Sequence, residues 1–278
     1  MRRPFVAVAF VLLVWGAPPA GAQTAAPEVR APYLEEGELP AAPDAAVWAS
    51  LPATQLTLTP QIIFPPVGGG STSEVAVRAV HDGTSLAVRL EWADVTADRA
   101  VGVDTFRDAA AVGFPVVESD SPASPFMGDP AHPVNIWQWT ADLEAAAKGE
   151  GTFAERYPHT AGVWYFPQDA SVYRQVRAWR GHEPVVEFVA TGWGTLQRRP
   201  GTNVNAGSRH ENGRWSVVLM RPLDTGSPED VAFKPGETSQ LIVAVWNGTA
   251  SEVNGRKSVT LAWTPFTLDT TVVADAGP

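Results

Sequence analysis

Glu74-Val75-Ala76-Val77-Arg78-Ala79-Val80-His81-Asp82-Gly83-Thr84-Ser85-Leu86-Ala87-Val88-Arg89-Leu90-Glu91-Trp92 is the stretch from which the fold is read. Leu86, Val88, Leu90 and Trp92 alternate with Ala87, Arg89 and Glu91, the two-residue period of a strand that lays one face against a core. A second alternating run, 74–81, precedes it. Asp82-Gly83 between them is a hairpin signal, because the tight turns that match strand twist need positive φ, which Asp and Gly tolerate. His81 beside the turn reads as a surface residue.

The same pattern repeats outward from this hairpin. Apolar runs occupy 55–63, 109–115, 133–139, 161–166, 184–190, 215–221, 240–246 and 257–263, and Asn212-Gly213 and Asn254-Gly255 supply further turns. Only 142–148 has a helical pattern, and it is short. Many short strands with no alternation of strand and helix predict an all-β fold, an antiparallel β-sandwich with a few short helices in its loops. Two long loops, 65–71 and 118–133, are the expected places for a site, since a rigid sandwich presents its chemistry on loops.

The ends have their own signatures. Arg2 and Arg3, an apolar run over 5–15 and Ala20-Gly21-Ala22 read as an export signal, 1–22, cleaved before Gln23 by the ordinary secretory route. Residues 23–41, rich in Ala, Pro and Glu, read as a mobile lead-in, 42–268 as the sandwich domain and 269–278 as a tail. No later run has the length of a membrane span. A periplasmic address and a chain without a membrane span are therefore expected.

Composition removes several function classes. There is no cysteine, which excludes disulfides, iron–sulfur clusters, thiolate zinc sites and covalently attached c-type haem. The formal net charge of −10 argues against nucleic acid as a partner. Gly68-Gly69-Gly70 lacks the lysine of a phosphate loop, Gly192-Trp193-Gly194-Thr195 has no nucleophile between its glycines, and the five histidines are scattered.

Two residues stand out. Lys257, one of three lysines, shares parity with Val259, Leu261 and Trp263 in 257–263 and is predicted to point with them toward a core. A buried lysine that gives up its proton can act as a base, a Schiff-base amine or a metal ligand, although a strand-end lysine also reaches solvent along its stem. Met127 lies in the proline-bracketed loop Ser124-Pro125-Phe126-Met127-Gly128-Asp129-Pro130, where it either packs the underside of the loop or serves as a ligand. Met220, by contrast, reads as core filler. His132 is a reserve ligand.

An ordered series of motifs gives these residues a context: Leu90-Glu91-Trp92-Ala93-Asp94, Phe106-Arg107-Asp108-Ala109-Ala110-Ala111-Val112-Gly113-Phe114-Pro115, Phe126-Met127-Gly128, Val134-Asn135-Ile136-Trp137-Gln138-Trp139, Ala190-Thr191-Gly192-Trp193-Gly194-Thr195, Val245-Trp246-Asn247-Gly248 and Asn254-Gly255-Arg256-Lys257-Ser258. The series resembles the haem b (gamma) subunits of molybdenum enzymes related to dimethyl sulfoxide reductase, among them ethylbenzene and dimethyl sulfide dehydrogenases and chlorate and selenate reductases. The resemblance spans about 42–265. It implies one non-covalent haem b in a pocket at one end of the sandwich, with Met127 and Lys257 as the axial ligands of the iron. It further implies a periplasmic electron-transfer subunit, with no substrate chemistry of its own, in a heterotrimer with a molybdopterin catalytic subunit and an iron–sulfur subunit, exchanging electrons with a soluble c-type cytochrome. Trp137, Trp139, Trp193 and Trp246 are expected as apolar walls for the porphyrin. Two alternatives stand beside this reading: a secreted carbohydrate-binding sandwich using exposed aromatics, and a haem-bearing redox domain outside any molybdenum complex.

Overall fold

A computed structural model describes residues 26–35, 37–117, 123–150 and 183–273. The predicted strand 161–166 and the export signal lie outside these residues. In chain order the described elements are β1 (Val29–Leu34), α1 (Val47–Ser50), β2 (Thr54–Thr57), β3 (Thr59–Pro60), β4 (Glu74–His81), β5 (Ser85–Ala93), β6 (Ala109–Pro115), β7 (Val134–Thr140), α2 (Ala141–Ala147), β8 (Val185–Ala190), β9 (Gln197–Arg198), β10 (Asn205–Glu211), β11 (Arg214–Pro222), β12 (Thr238–Trp246), β13 (Ser258–Val259) and β14 (Thr264–Val273).

The strands stack as two layers. One runs β10-β11-β5-β4-β1-β14 and continues into the first half of β12, and the other runs from the second half of β12 through β6, β7, β8 and β9. β12 belongs to both: residues 238–241 pair with β14 and 242–246 with β6. The hairpin at Asp82-Gly83 forms as read, with Ala79 opposite Val88 and Val77 opposite Leu90, and Gly83 at φ 82°. The short helical pattern becomes α2.

Between the layers lies an apolar core. Trp92 and Trp215 from one sheet meet Trp139 from the other, with ring centroids 4.9 to 6.3 Å apart. Phe114, Trp137, Phe233 and Phe266 form a second aromatic group beside it. Arg221, fully enclosed, is satisfied by Asn135 Oδ1 at 3.0 Å and Glu187 Oε1 at 3.2 Å, and its guanidinium lies 4.6 Å from the Trp137 ring centroid. Burying a charge this deeply is tolerated because it is paired and hydrogen-bonded.

The structure corrects four expectations. Residues 29–34, placed in a mobile lead-in, form β1, with Val29 and Ala31 buried. The boundary at 268 falls inside β14, which runs through the expected tail to Val273. The sheet is not wholly antiparallel, because β1 is parallel to both its neighbours, β14 and β4. Finally, His81 is buried: Gly83 N–H donates to its Nδ1 at 3.2 Å, which leaves Nε2 to donate to the Asp269 carbonyl at 2.8 Å.

Candidate functional site: a cavity on the outer face of the second sheet

The strands of the second layer have two unlike faces. Val112, Phe114, Trp137, Trp139, Val243 and Val245 point into the core. The opposite face carries small residues at alternate positions of β6: Ala109, Ala111 and Gly113. Across the ladder Gly113 faces Ile242 and Ile136, Ala111 faces Ala244 and Gln138, and Ala109 faces Trp246. A Cβ on Gly113 would come within 2.9 Å of Ile242 Cγ1, so the glycine is required where these chains meet.

Above this floor is a cavity of about 590 Å³. That volume lies in the range of pockets that enclose small ligands and cofactors. Its roof consists of loops: Gln61, Pro65 and Pro66; Val101, Gly102, Phe106 and Arg107; Pro125, Phe126 and Met127; Trp193, Gly194 and Leu196; and the run from Glu252 to Lys257 without Arg256. The cavity was expected at an end of the sandwich and lies instead on the outer face of one sheet. Alternation explains the difference, since small side chains on the outer face leave depth that loops can cover.

Met127 and Lys257 both line this cavity. Met127 sits at φ 75°, a left-handed conformation that an unbranched non-glycine residue adopts at a cost. Gly192 N–H donates to the Met127 carbonyl at 2.8 Å, and Gly128 N–H to the Ser124 carbonyl at 2.8 Å, which close the loop around it. His132, the reserve ligand, is paired with Asp129 at 3.0 Å and does not line the cavity.

Lys257 precedes β13 at a bend. The long strand expected over 257–263 stops at Val259, and with it the parity argument fails: Ser258 and Thr260 are buried whereas Leu261 is exposed. The side chain nonetheless reaches apolar surroundings, with Nζ 5.0 Å from the Trp246 ring centroid. Burial away from bulk water lowers its pKa to about 8, with no carboxylate offsetting the effect. Glu252, the acid on the cavity wall, is committed elsewhere, accepting from Ser71 N–H at 3.0 Å and Asn247 N–H at 3.1 Å. Arg107, partly exposed at the cavity, pairs with Asp142 at 2.9 Å.

Of the four tryptophans expected as walls, Trp193 and Trp246 line the cavity, and Trp193 stacks on Phe64 at 4.7 Å. Trp137 and Trp139 face the core. Gln61, Arg107 and the Ala109, Ala111 and Gly113 floor were not singled out as site residues. The signal for the floor was present as small residues at every second position in 109–113.

Among the described residues no group of three or more His, Cys, Asp or Glu could hold a metal ion. The donors the cavity offers are a thioether and an amine with a lowered pKa. This set suits an axial pair on haem iron and not a hard or tetrahedral metal site.

The ethylbenzene dehydrogenase family model matches residues 45–258. The chain belongs to the ethylbenzene dehydrogenase family. Members of similar sequence include the chlorate reductase subunit gamma of Ideonella dechloratans, 31% identical over 253 residues covering 88% of this chain and 87% of that one. The dimethylsulfide dehydrogenase subunit gamma of Rhodovulum sulfidophilum is 30% identical, covering 80% and 72%. A heme subunit ascribed to the respiratory nitrate reductase of Haloferax mediterranei is 29% identical, covering 91% and 78%. The gamma-subunit family read from the ordered motifs is thereby established. Among solved structures, a family 9 carbohydrate binding module from Caldicellulosiruptor kristjanssonii aligns at a TM-score of 0.41 and 10% identity, over 90% of this chain and 100% of that one.

Proposed function

We propose that the cavity holds one non-covalent haem b, with Met127 and Lys257 as its axial ligands, and that the chain is the electron-transfer subunit of a periplasmic molybdenum oxidoreductase. The observation that carries this reading is that two residues far apart in sequence, each with an unusual local environment, line one cavity floored by small side chains. A bound haem would supply a one-electron iron couple.

The chain's own residues then have separable tasks. Ala109, Ala111 and Gly113 keep the floor low enough for a flat ligand to lie against the sheet. Lys257 gives up its proton and presents a neutral amine, which its desolvated position makes less costly. Met127 presents a thioether, a ligand that favours the reduced metal and raises the potential. The loops at 61–66 and 193–196, joined by the Phe64–Trp193 stack, keep water off the site. Arg107 is the cation beside Lys257 on the wall, suited to a propionate. Two side-chain ligands from this chain would leave the iron no position for a substrate, so a bound haem would serve electron transfer.

We propose as partners a molybdopterin catalytic subunit, an iron–sulfur subunit and a soluble c-type cytochrome; relatives that are gamma subunits of larger oxidoreductases support a multi-subunit assembly. Trp193 has one face covered by Phe64 and Trp246 faces Lys257, so the cavity does not offer the open aromatic platform a sugar-binding module uses. The test is a visible spectrum of the purified chain with Met127→Ala and Lys257→Ala. Wild type should show a six-coordinate low-spin haem, and each variant should lose it while remaining folded. A colourless wild-type protein after haem addition, or unchanged spectra in both variants, sinks the assignment.

A further inference from the structure

Lys257 is held by a set of contacts that no sequence motif describes. Its N–H donates to the Gly68 carbonyl at 3.0 Å, its carbonyl accepts from Gln61 N–H at 3.0 Å, and Gly68 N–H closes back on the Gln61 carbonyl at 2.7 Å. Gln61 is 2% exposed. Its Oε1 accepts from the N–H groups of Ile63 and Phe64 at 2.6 and 2.8 Å, and its Nε2 donates to the carbonyls of Phe64, Pro66 and Gly255 at 2.6, 3.3 and 3.2 Å. Gly69 lies so close that any Cβ there would overlap the Lys257 backbone, whereas a Cβ on Gly68 meets only the Arg256 side chain, at 3.6 Å. Ser258 Oγ then accepts from Gly70 N–H and Thr72 N–H, both at 3.1 Å.

These contacts satisfy backbone groups of 61–72 through the Gln61 side chain and through residues 252–258 and not through a sheet ladder. Buried amide groups left without partners would cost the protein stability, so this use of a buried glutamine is a specific one. Among residues 255–258 the side chain that lines the cavity is that of Lys257, whose amine lies 5.0 Å from the Trp246 ring centroid.

We propose that Gln61 and the Gly68–Gly69 approach form a clasp whose task is to position Lys257, with Gln61 as its positioning residue, a reading that rests on Lys257 serving as a haem ligand. A rigidly placed backbone spares the lysine the ordering cost of reaching a metal from a mobile loop. Gln61 touches no iron in this scheme and acts through Lys257.

Two variant pairs test it. Gly69→Ala and Gly68→Ala impose comparable backbone strain, at φ 100° and 122°, but only the first intrudes on Lys257. Gln61→Met keeps the volume of Gln61 and removes its hydrogen bonds, and Gln61→Glu restores the acceptor to Ile63 and Phe64 alone. Two readouts are taken on the full chain: the haem spectrum with its reduction potential, and amide hydrogen exchange at Gln61 and Lys257 in the haem-free protein. In Gly69→Ala and Gln61→Met, exchange at these two amides should rise about tenfold or more while core amides such as that of Leu90 are unchanged. The low-spin spectrum should give way to a partly five-coordinate one with a shifted potential. Gly68→Ala is strained but adds no atom against the Lys257 backbone, so it should move the same readouts clearly less than Gly69→Ala, and Gln61→Glu should fall between Gln61→Met and wild type. A Gly69→Ala or Gln61→Met protein that binds haem with the wild-type spectrum, potential and exchange overturns the proposal. So does a Gly68→Ala protein that matches Gly69→Ala. If wild type takes up no haem, the haem reading fails, and the exchange measurements on the haem-free chain decide the clasp by themselves.

Discussion

The two faces of the second sheet differ most in side-chain volume along β6, its central strand. One face presents Phe114, Trp137, Trp139 and Val245 to the opposite sheet, and the other presents Ala109, Ala111, Gly113 and Ala244 to the cavity. Both are largely apolar, with Asn135 on the core face and Gln138 on the outer one, and the strands that carry them are the same. The core face is filled by the protein, while the outer face leaves its volume for something else and is closed by loops. Stability and ligand capacity are thus separated across a single sheet.

The comparison predicts that substitutions on the two faces fail in different ways. The largest effect is expected from Trp139→Ala on the core face, which removes a fully buried ring from its contacts with Trp92 and Trp215 and should cost about 3–5 kcal/mol in denaturant unfolding. On the outer face, Ala111→Phe should fill the cavity, weakening haem uptake about 100-fold, or about 2.7 kcal/mol. Haem-free stability should move by less than about 1 kcal/mol in the same variant. If Ala111→Phe instead unfolds the chain and leaves haem affinity intact, the division between the faces is wrong.

Asp108 lies where the faces meet, at the start of β6. Its Oδ2 accepts from Trp215 Nε1 at 2.9 Å in the core and from Asp98 N–H at 2.7 Å in the loop that roofs the cavity, and its Oδ1 accepts from Gly248 N–H at 2.8 Å. Burial pushes its carboxyl up to about 6. Asp108→Asn cannot accept all three donors, and should cost about 2 kcal/mol as an unsatisfied buried group, read as a lower Tm.

The smallest effect is that of pH. The folded pKa of Lys257, about 8, lies below its unfolded value, so the folded haem-free chain binds fewer protons between about pH 8 and 10. Its stability should rise with pH across that window. With Lys257 as the proposed ligand, haem binding would need the neutral amine, so affinity should fall about tenfold, or about 1.4 kcal/mol, for each pH unit below 8. In Lys257→Met this slope should vanish, since a thioether does not titrate.

Much of the fold was legible because its signals are local. The hairpin over 74–92 declares itself by alternation and Asp-Gly, and α2 by a short periodic patch. β1 was missed because its composition is that of a lead-in and its strand character comes from partners at the other end of the chain: Arg30 and Asp269, hydrogen-bonded to each other, are 239 residues apart. Lys257 was singled out for a parity that does not exist, since the strand is two residues long; its side chain lines a cavity and not the core, beside the Trp246 ring. Its placement depends on Gln61 and Gly69, and nothing nearby in sequence reports that contact. Met127 was legible as an oddity of its loop, while its left-handed backbone follows from a closure onto Gly192 that sequence does not show.

β1 has a consequence for how the molecule is made. Its main pairing partner β14 is the last described strand, so residues 29–34 lack most of their ladder until residues 264–273 have been made. The first layer cannot close before that strand has appeared, whatever has already packed around it.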